Sequence, residues 1–202
     1  MEIKKVMVIG SGQMGSGIAQ VMAQAGYDVI LNDIKEEFVQ RGFTKIEKGL
    51  TREVEKGRKT EAEKQRILVH FTLSTDIQDA KEAQLVIEAA TENKKIKLSI
   101  FKELAEITDK ETILASNTSS LSITEIAAAT NRPEKVIGLH FFNPVPVMKL
   151  VEINRGLATD DETTATIKAL SEKIGKITID IKDSPGFAVN RILIPMINEA
   201  IF

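Results

Sequence analysis

Short apolar runs recur along the chain, and each is followed by residues with helical spacing. "KKVMVIG", residues 4–10, is nearly all apolar after its two lysines and predicts a buried strand. "QMGSGIAQVMAQAG" comes next and predicts a helix ending at Gly26. "DVILND" is a second strand. "LVIEAA" and "TILASN" are two more, separated by a helical pattern from Lys94 to Ile107. Continuous apolar strands alternating with helices call for a parallel sheet covered on both faces. The expected fold class is α/β, with a doubly wound, mostly parallel sheet.

Two segments depart from simple alternation. The first is a long charged stretch from about Lys35 to Arg66. Phe38, Phe43, Ile46, Leu50 and Val54 recur there at helical spacing, which predicts two helices breaking near Gly57. The stretch holds ten basic and seven acidic residues, a local excess of three positive charges in a chain of net charge −2. A charge run of this kind is usually a solvated helix face. The sharper reading is a basic arm that meets a phosphorylated ligand. The second departure is "ITIDIKDSPGFAVNRILIPMINEAIF", which predicts a strand, a Pro-Gly turn and a helix from about Val189. That helix is apolar on most sides and lacks a closing glycine or basic last turn. The expectation is that it packs against something and that more protein follows Phe202.

Composition narrows the class. With 43% hydrophobic and 28% charged residues, the chain suits a soluble globular core. Its slight negative charge argues against a general nucleic-acid binder. The absence of cysteine excludes disulfides and cysteine-ligated metal sites. No apolar run is long enough to span a bilayer, and "MEIKKVMVIG" lacks the layout of a signal peptide, so a cytoplasmic location without membrane contact is expected.

The first strand and helix are joined by "GSGQMG", which places Gly10, Gly12 and Gly15 in a G-x-G-x-x-G pattern. Alone the pattern is weak. Between a strand and a helix it has the context of a Rossmann dinucleotide site. Gly10 permits the tight turn, Gly12 lets a pyrophosphate approach the backbone, and Gly15 lets helix and strand pack closely. Gln13 and Met14, between them, count among the cofactor-contacting positions. The helix N-terminus offers N–H groups and partial positive charge to the phosphates. Asp33, 18 residues after Gly15, ends the second strand and would bind the adenosine ribose hydroxyls while repelling a 2′-phosphate. NAD(H) is the expected cofactor. Lys35 lies near enough to leave NADP open.

Candidate acid–base chemistry lies in "VIGLHFFNPVPVMKLVEI". Pro144 and Pro146 cannot donate ladder hydrogen bonds, so they belong in a loop between two strands. An antiparallel hairpin centred on Pro146 sets His140 directly opposite Glu152 on one sheet face. An imidazole can take or give the proton that accompanies hydride transfer at a carbinol carbon, and a carboxylate on its other nitrogen fixes the tautomer. An isolated histidine is usually a satisfied core residue, but the glycine motif shifts the balance toward chemistry. His70 has no comparable partner in the sequence and reads as structural. "SNTSS" adds Asn117, Thr118, Ser119 and Ser120 at the carboxyl end of a predicted strand, the edge where open α/β sheets bind ligands. Ser122 and Glu125 form a capping box for the next helix. The four residues before them are left without a structural duty.

Taken together, "VIGSGQMGSGIA", "LVIEAATE", "ILASNTSSLSI", "GLHFFNPVPVMKLVEI" and "DSPGFAVNRILIPMINEA" resemble the L-3-hydroxyacyl-CoA dehydrogenase family, most closely its bacterial, clostridial-type 3-hydroxybutyryl-CoA members. The resemblance spans essentially the whole chain. It implies an NAD-dependent oxidoreductase that interconverts a short-chain (S)-3-hydroxyacyl-CoA and a 3-ketoacyl-CoA without a metal. It implies that His140 is the general acid/base and Glu152 its orienting partner. Ser119 and Asn190 would hold the substrate oxygens. Glu92, Lys97 and Asn143 would line the nicotinamide and ribose side of the cofactor site, Ser119 would also count among the cofactor-binding residues, and Lys56 on the charged arm would contact CoA. It divides the chain into an NAD-binding domain, residues 1–184, and the truncated start of an all-helical dimerisation and substrate domain, residues 185–202. Two other readings stay open: a dinucleotide-binding module without catalysis, and a dehydrogenase of free hydroxy acids.

Overall fold

The computed structural model describes residues 2–201; Met1 and Phe202, the ends of the two expected domains, lie outside them. The chain runs β1 (Lys5–Ile9), α1 (Gln13–Gln24), β2 (Asp28–Asn32), α2 (Glu36–Glu55), α3 (Glu61–Leu68) and β3 (Phe71–Ser74). It continues with β4 (Leu85–Glu88), α4 (Lys94–Ile107), β5 (Ile113–Ser116), α5 (Ile123–Ala128) and β6 (Val136–Phe141). β7 (Leu150–Arg155), α6 (Asp161–Lys173), β8 (Ile177–Lys182) and α7 (Val189–Ile201) complete it. The eight strands form one sheet in the order β3-β2-β1-β4-β5-β6-β7-β8. β1 to β6 are parallel; β7 turns antiparallel to β6, and β8 pairs parallel with β7.

The alternation along β1 shows why both faces are covered. Val6 and Val8 belong to an apolar cluster with Ile18 and Met22 of α1, Leu50 of α2 and Leu170 of α6. Met7 and Ile9 point the other way, into a cluster with Phe101 and Leu104 of α4 and Ile126 of α5. Fully burying a side chain such as Leu50 or Phe101 contributes about 1.5–3 kcal/mol each.

The charged stretch does form two helices, parted at Gly57, whose φ is +68°. Thr60 opens α3 with a capping box to Glu63. The buried stripe of α2 is Val39, Ile46 and Leu50. Phe38, expected on that stripe, instead lies half-exposed beneath the cations of Lys35 and Arg41. The short strand β3 has no turn residue before it and was not anticipated from its own residues. α7 starts at Val189 as expected and leaves Ile192, Leu193, Ile194, Met196 and Ile197 exposed.

Asp183 ties the last strand to the rest of the sheet edge. Its carboxylate accepts from the Ser122 hydroxyl at 2.6 Å, the Thr124 amide at 2.8 Å and the Ile123 amide at 3.1 Å. Burial pushes its pKa up, but these hydrogen bonds outweigh burial and hold it below the usual range. A carboxyl lowered in the folded state stabilises fully above the ordinary aspartate pKa and loses that contribution as pH falls through the folded value. Asp183→Asn should therefore cost about 1 kcal/mol near pH 7, since the carboxylate is only partly buried. The cost should shrink toward about pH 2. Chemical denaturation of both proteins across that range checks this; a pH-independent difference would refute the assignment.

Candidate active site

The β6–β7 pairing matches residues 140 and 152 as the hairpin register requires. His140 Nδ1 lies 2.7 Å from Glu152 Oε2. The imidazole is 7% exposed and the carboxylate fully buried, so neither competes with bulk water for its partner. The other carboxylate oxygen, Oε1, accepts from the backbone amides of Ala188 at 3.0 Å and Val189 at 2.8 Å, at the start of α7. Phe187, just before them, sits at φ +53° and is buried, with its ring 5.7 Å from the imidazole; the Phe142 ring lies tilted against the imidazole at 4.6 Å. A bulky residue at positive φ persists only where its surroundings fix it.

His140 opens into a cleft of about 540 Å³ at the carboxyl ends of the parallel strands. Met14, Glu92, Lys97, Ser119, Asn143 and Asn190 share its lining. Gln13 reaches it through Asn143, donating from Nε2 to Oδ1 at 3.1 Å. The nearby glycine turn fits a dinucleotide. A Cβ on Gly15 would stand 1.7 Å from the Gly10 carbonyl, and one on Gly10 would stand 2.5 Å from Ala90 Cα. Gly12 differs: a Cβ there would meet nothing within 4 Å. Its open face, at the N-cap of α1, leaves room for a phosphate beside the helix amides. Asp33 is held in place by Ser11, whose amide and hydroxyl both donate to Oδ2 at 2.7 Å.

The cleft has a second polar cluster. Glu92 Oε1 accepts from Thr118 Oγ1 and the Ser119 amide at 2.8 Å, from Ser119 Oγ at 2.9 Å and from Ser120 Oγ at 3.2 Å. Burial pushes Glu92 up, yet these bonds and the nearby Lys97 charge hold it below the usual carboxylate range. Lys97 is 1% exposed and is paired with the fully buried Glu88. Asn190 Nδ2 donates to the Ser119 carbonyl at 3.2 Å.

Residues 5–184 match the family model described as "3-hydroxyacyl-CoA dehydrogenase, NAD binding domain". The chain belongs to the 3-hydroxyacyl-CoA dehydrogenase family. It is 54% identical over its full length to a probable 3-hydroxybutyryl-CoA dehydrogenase of Bacillus subtilis, covering 70% of that protein. It is 51% identical to a 3-hydroxybutyryl-CoA dehydrogenase of Clostridioides difficile, over 98% of this chain and 70% of that one. The crystal structure of an (S)-3-hydroxybutyryl-CoA dehydrogenase from Ralstonia eutropha superposes with a TM-score of 0.97 at 50% identity, over 98% of this chain and 70% of that chain. The 3-hydroxyacyl-CoA dehydrogenase fold, a Rossmann-type sheet with a helical-hairpin insertion, is thereby established for this chain.

Of the residues singled out in the sequence, the structure gathers His140, Glu152, Ser119, Asn190, Glu92, Lys97, Asn143 and Met14 at or behind one cleft. Gly10, Gly12, Gly15 and Asp33 form the adjoining turn. Lys56, at the C-cap of α2, is exposed and lies outside the cleft lining. Three readings need correction. His70 does have a partner: its Nδ1 lies 2.8 Å from Asp28 Oδ1. Ser122 caps α5, but Glu125 does not complete the box and instead pairs with Lys94 at 2.7 Å. Asn117, Thr118, Ser119 and Ser120 do have structural duties. Asn117 accepts from the Phe141 amide, Thr118 from the amides of Ser120 and Leu121, and Thr118, Ser119 and Ser120 all donate to Glu92.

Sequence reasoning passed over Ser11, Glu88 and the Ala188–Val189 amides. An acid at the end of the otherwise apolar run "LVIE" was the signal for Glu88; the amides carry none. Among the described residues no group of three or more His, Cys, Asp or Glu could hold a metal ion, and no helix is long and apolar enough to cross a membrane. The open face of Gly12 gives a test that separates folding from binding. Gly12→Ala should leave the melting temperature unchanged and weaken NADH binding by at least about tenfold, because only the ligand meets the added methyl. Fluorescence titration and thermal melts decide it; equal loss of both would mean the turn itself had collapsed.

Proposed function

We propose that this chain catalyses the reversible, NAD-dependent interconversion of (S)-3-hydroxybutyryl-CoA and acetoacetyl-CoA, with short-chain 3-hydroxyacyl-CoA and 3-ketoacyl-CoA as the wider substrate class. The reading rests on one observation above all: the 2.7 Å His140–Glu152 pair opens into the same cleft that adjoins the dinucleotide turn. The names of its close relatives support it.

NAD(H), held by the Gly10–Gly15 turn and Asp33, would supply the hydride chemistry at C3. His140 moves the accompanying proton. Its Nδ1 is occupied by Glu152, so Nε2 is the nitrogen left for the substrate oxygen. Glu152 fixes that tautomer and stabilises the imidazolium when oxidation delivers a proton. Ser119 Oγ and Asn190 Nδ2 are assigned to the substrate oxygens, where donated hydrogen bonds would stabilise charge developing on the ketone. Glu92, Lys97 and Asn143 are assigned to the nicotinamide and ribose side, Gln13 and Met14 to cofactor contacts beside the glycine turn, and Lys56 to the CoA moiety. Asp33 is assigned to the adenosine ribose, where its charge favours NAD over NADP.

We assign residues 1–184 to the cofactor domain and 185–202 to the start of a helical segment for dimerisation and substrate closure. The exposed apolar side chains of α7 and the greater length of the matched relatives support that division. The decisive measurement is reduction of acetoacetyl-CoA by NADH. His140→Ala should lower the rate by about 10²–10⁴ while NADH affinity is retained. An undiminished rate would remove His140 from the mechanism.

A further inference from the structure

Glu88 is a fully buried carboxylate just behind the cleft wall, next to the lining residues Ala89 and Ala90, and has no part in the reaction just described. It ends β4 in the centre of the sheet, and its two oxygens are divided between two tasks. Oε1 accepts from the backbone amides of Ala90 at 2.9 Å and Thr91 at 3.3 Å, fixing the loop that lines the cleft and abuts Gly10. Oε2 accepts from Lys97 Nζ and from Ser116 Oγ at 3.3 Å. Among the described residues Lys97 Nζ has one other carboxylate near it, Glu92, whose Oε2 stands 3.9 Å away, beyond hydrogen-bond reach, while the four donors to Glu92 all meet Oε1. A buried ion pair stabilises a fold little compared with apolar packing, so its presence here calls for a reason other than stability.

We propose that Glu88 is a positioning residue that anchors Lys97 and, by its charge, sets the balance between oxidised and reduced cofactor in the cleft. The proposal rests on the preceding assignment of Lys97 to the nicotinamide side. The two redox forms differ there by one positive charge on the ring. A fixed ammonium beside that ring disfavours the oxidised form, and a buried carboxylate next to the ammonium offsets the effect. In a site shielded from water such charges act over several ångströms. Removing the carboxylate charge must therefore weaken NAD⁺ more than NADH, whereas removing the ammonium must do the reverse.

Glu88→Gln removes the charge while its amide oxygen can still accept from Ala90 and Thr91, and its amide nitrogen then faces the Lys97 ammonium, so that Lys97 is released from its anchor as well. The readout is the ratio of the NAD⁺ and NADH dissociation constants, measured by calorimetry and fluorescence titration, alongside thermal melts. Glu88→Gln should raise the ratio on the order of tenfold and lower the melting temperature, since Lys97 loses its partner. Lys97→Met should lower the ratio. The double variant should return both ratio and melting temperature toward wild type. Equal weakening of both forms in Glu88→Gln would reduce Glu88 to a structural residue and overturn the proposal. If that variant fails to fold, Lys97→Met still decides: an unchanged ratio there overturns it. Failure of the wild-type chain to bind either form would overturn the cofactor site itself as well, an outcome separate from an unaltered ratio in a chain that binds both.

Discussion

The hydrogen-bonding demand of one buried carboxylate, Glu152, organises the catalytic edge of this molecule. A carboxylate removed from water must have its oxygens satisfied, or burial costs several kcal/mol. Here one oxygen faces His140 and the other receives the first amides of α7. Those amides lie at the N-terminal end of a helix, where backbone N–H groups lack partners within the helix, so each side satisfies the other. The reversal of chain direction between β6 and β7 makes the arrangement possible. It puts residues 140 and 152 opposite each other on one sheet face, at the strand ends where the cleft opens. The extension of the sheet through β8 then returns the chain to the cleft with Phe187 against the imidazole.

The His140–Glu152 pair and the glycine turn are separate in sequence but mechanically joined. A Cβ on Gly17 of α1 would fall 2.9 Å from Val145 Cβ, so the cofactor helix packs directly on the loop that follows His140. Lys176, just before β8, secures that loop from beneath, donating from Nζ to the carbonyls of Val145 at 2.5 Å and Met148 at 2.7 Å. Desolvation lowers the pKa of Lys176, and the two carbonyls stand in for the water it gives up. The loop can therefore move neither from α1 nor from the sheet without leaving a buried donor or backbone carbonyl unpaired. That is how groups from three distant stretches keep one geometry in a site that has to orient a substrate to within about half an ångström.

Much of this was legible because it is periodic or arithmetical. The glycine spacing, the apolar strands and the two-residue periodicity of β6 and β7 are local, and a hairpin's register follows from its loop. The two helices of the charged arm were readable from apolar spacing, although Val39 rather than Phe38 faces the core. What could not be read depends on tertiary neighbours. β3 is four residues long and gains its identity from pairing with β2. The link from Glu152 to the amides of Ala188 and Val189 spans more than 35 residues and involves no side chain on the α7 end. The polar run from Asn117 to Ser120 looked idle because its chief acceptor, Glu92, lies on another loop.

That acceptor also bears on how Ser119 can serve a substrate. Its hydroxyl donates to Glu92, and its carbonyl receives Asn190, so both ends are engaged. Donation to a substrate oxygen requires the hydroxyl to leave Glu92. Glu92 is exposed enough to meet water as well, so the departure strands no buried carboxylate. Here Glu92 keeps Thr118 Oγ1, the Ser119 amide and Ser120 Oγ when the Ser119 hydroxyl departs, with Lys97 close by. Oε1 left with three donors is still satisfied, so the exchange costs about one hydrogen bond and returns about one. In the proposed reaction, the redundancy of donors around Glu92 would let the Ser119 hydroxyl turn to a substrate oxygen, while the Ser119 amide bond to Glu92 and the carbonyl bond to Asn190 hold the backbone in place.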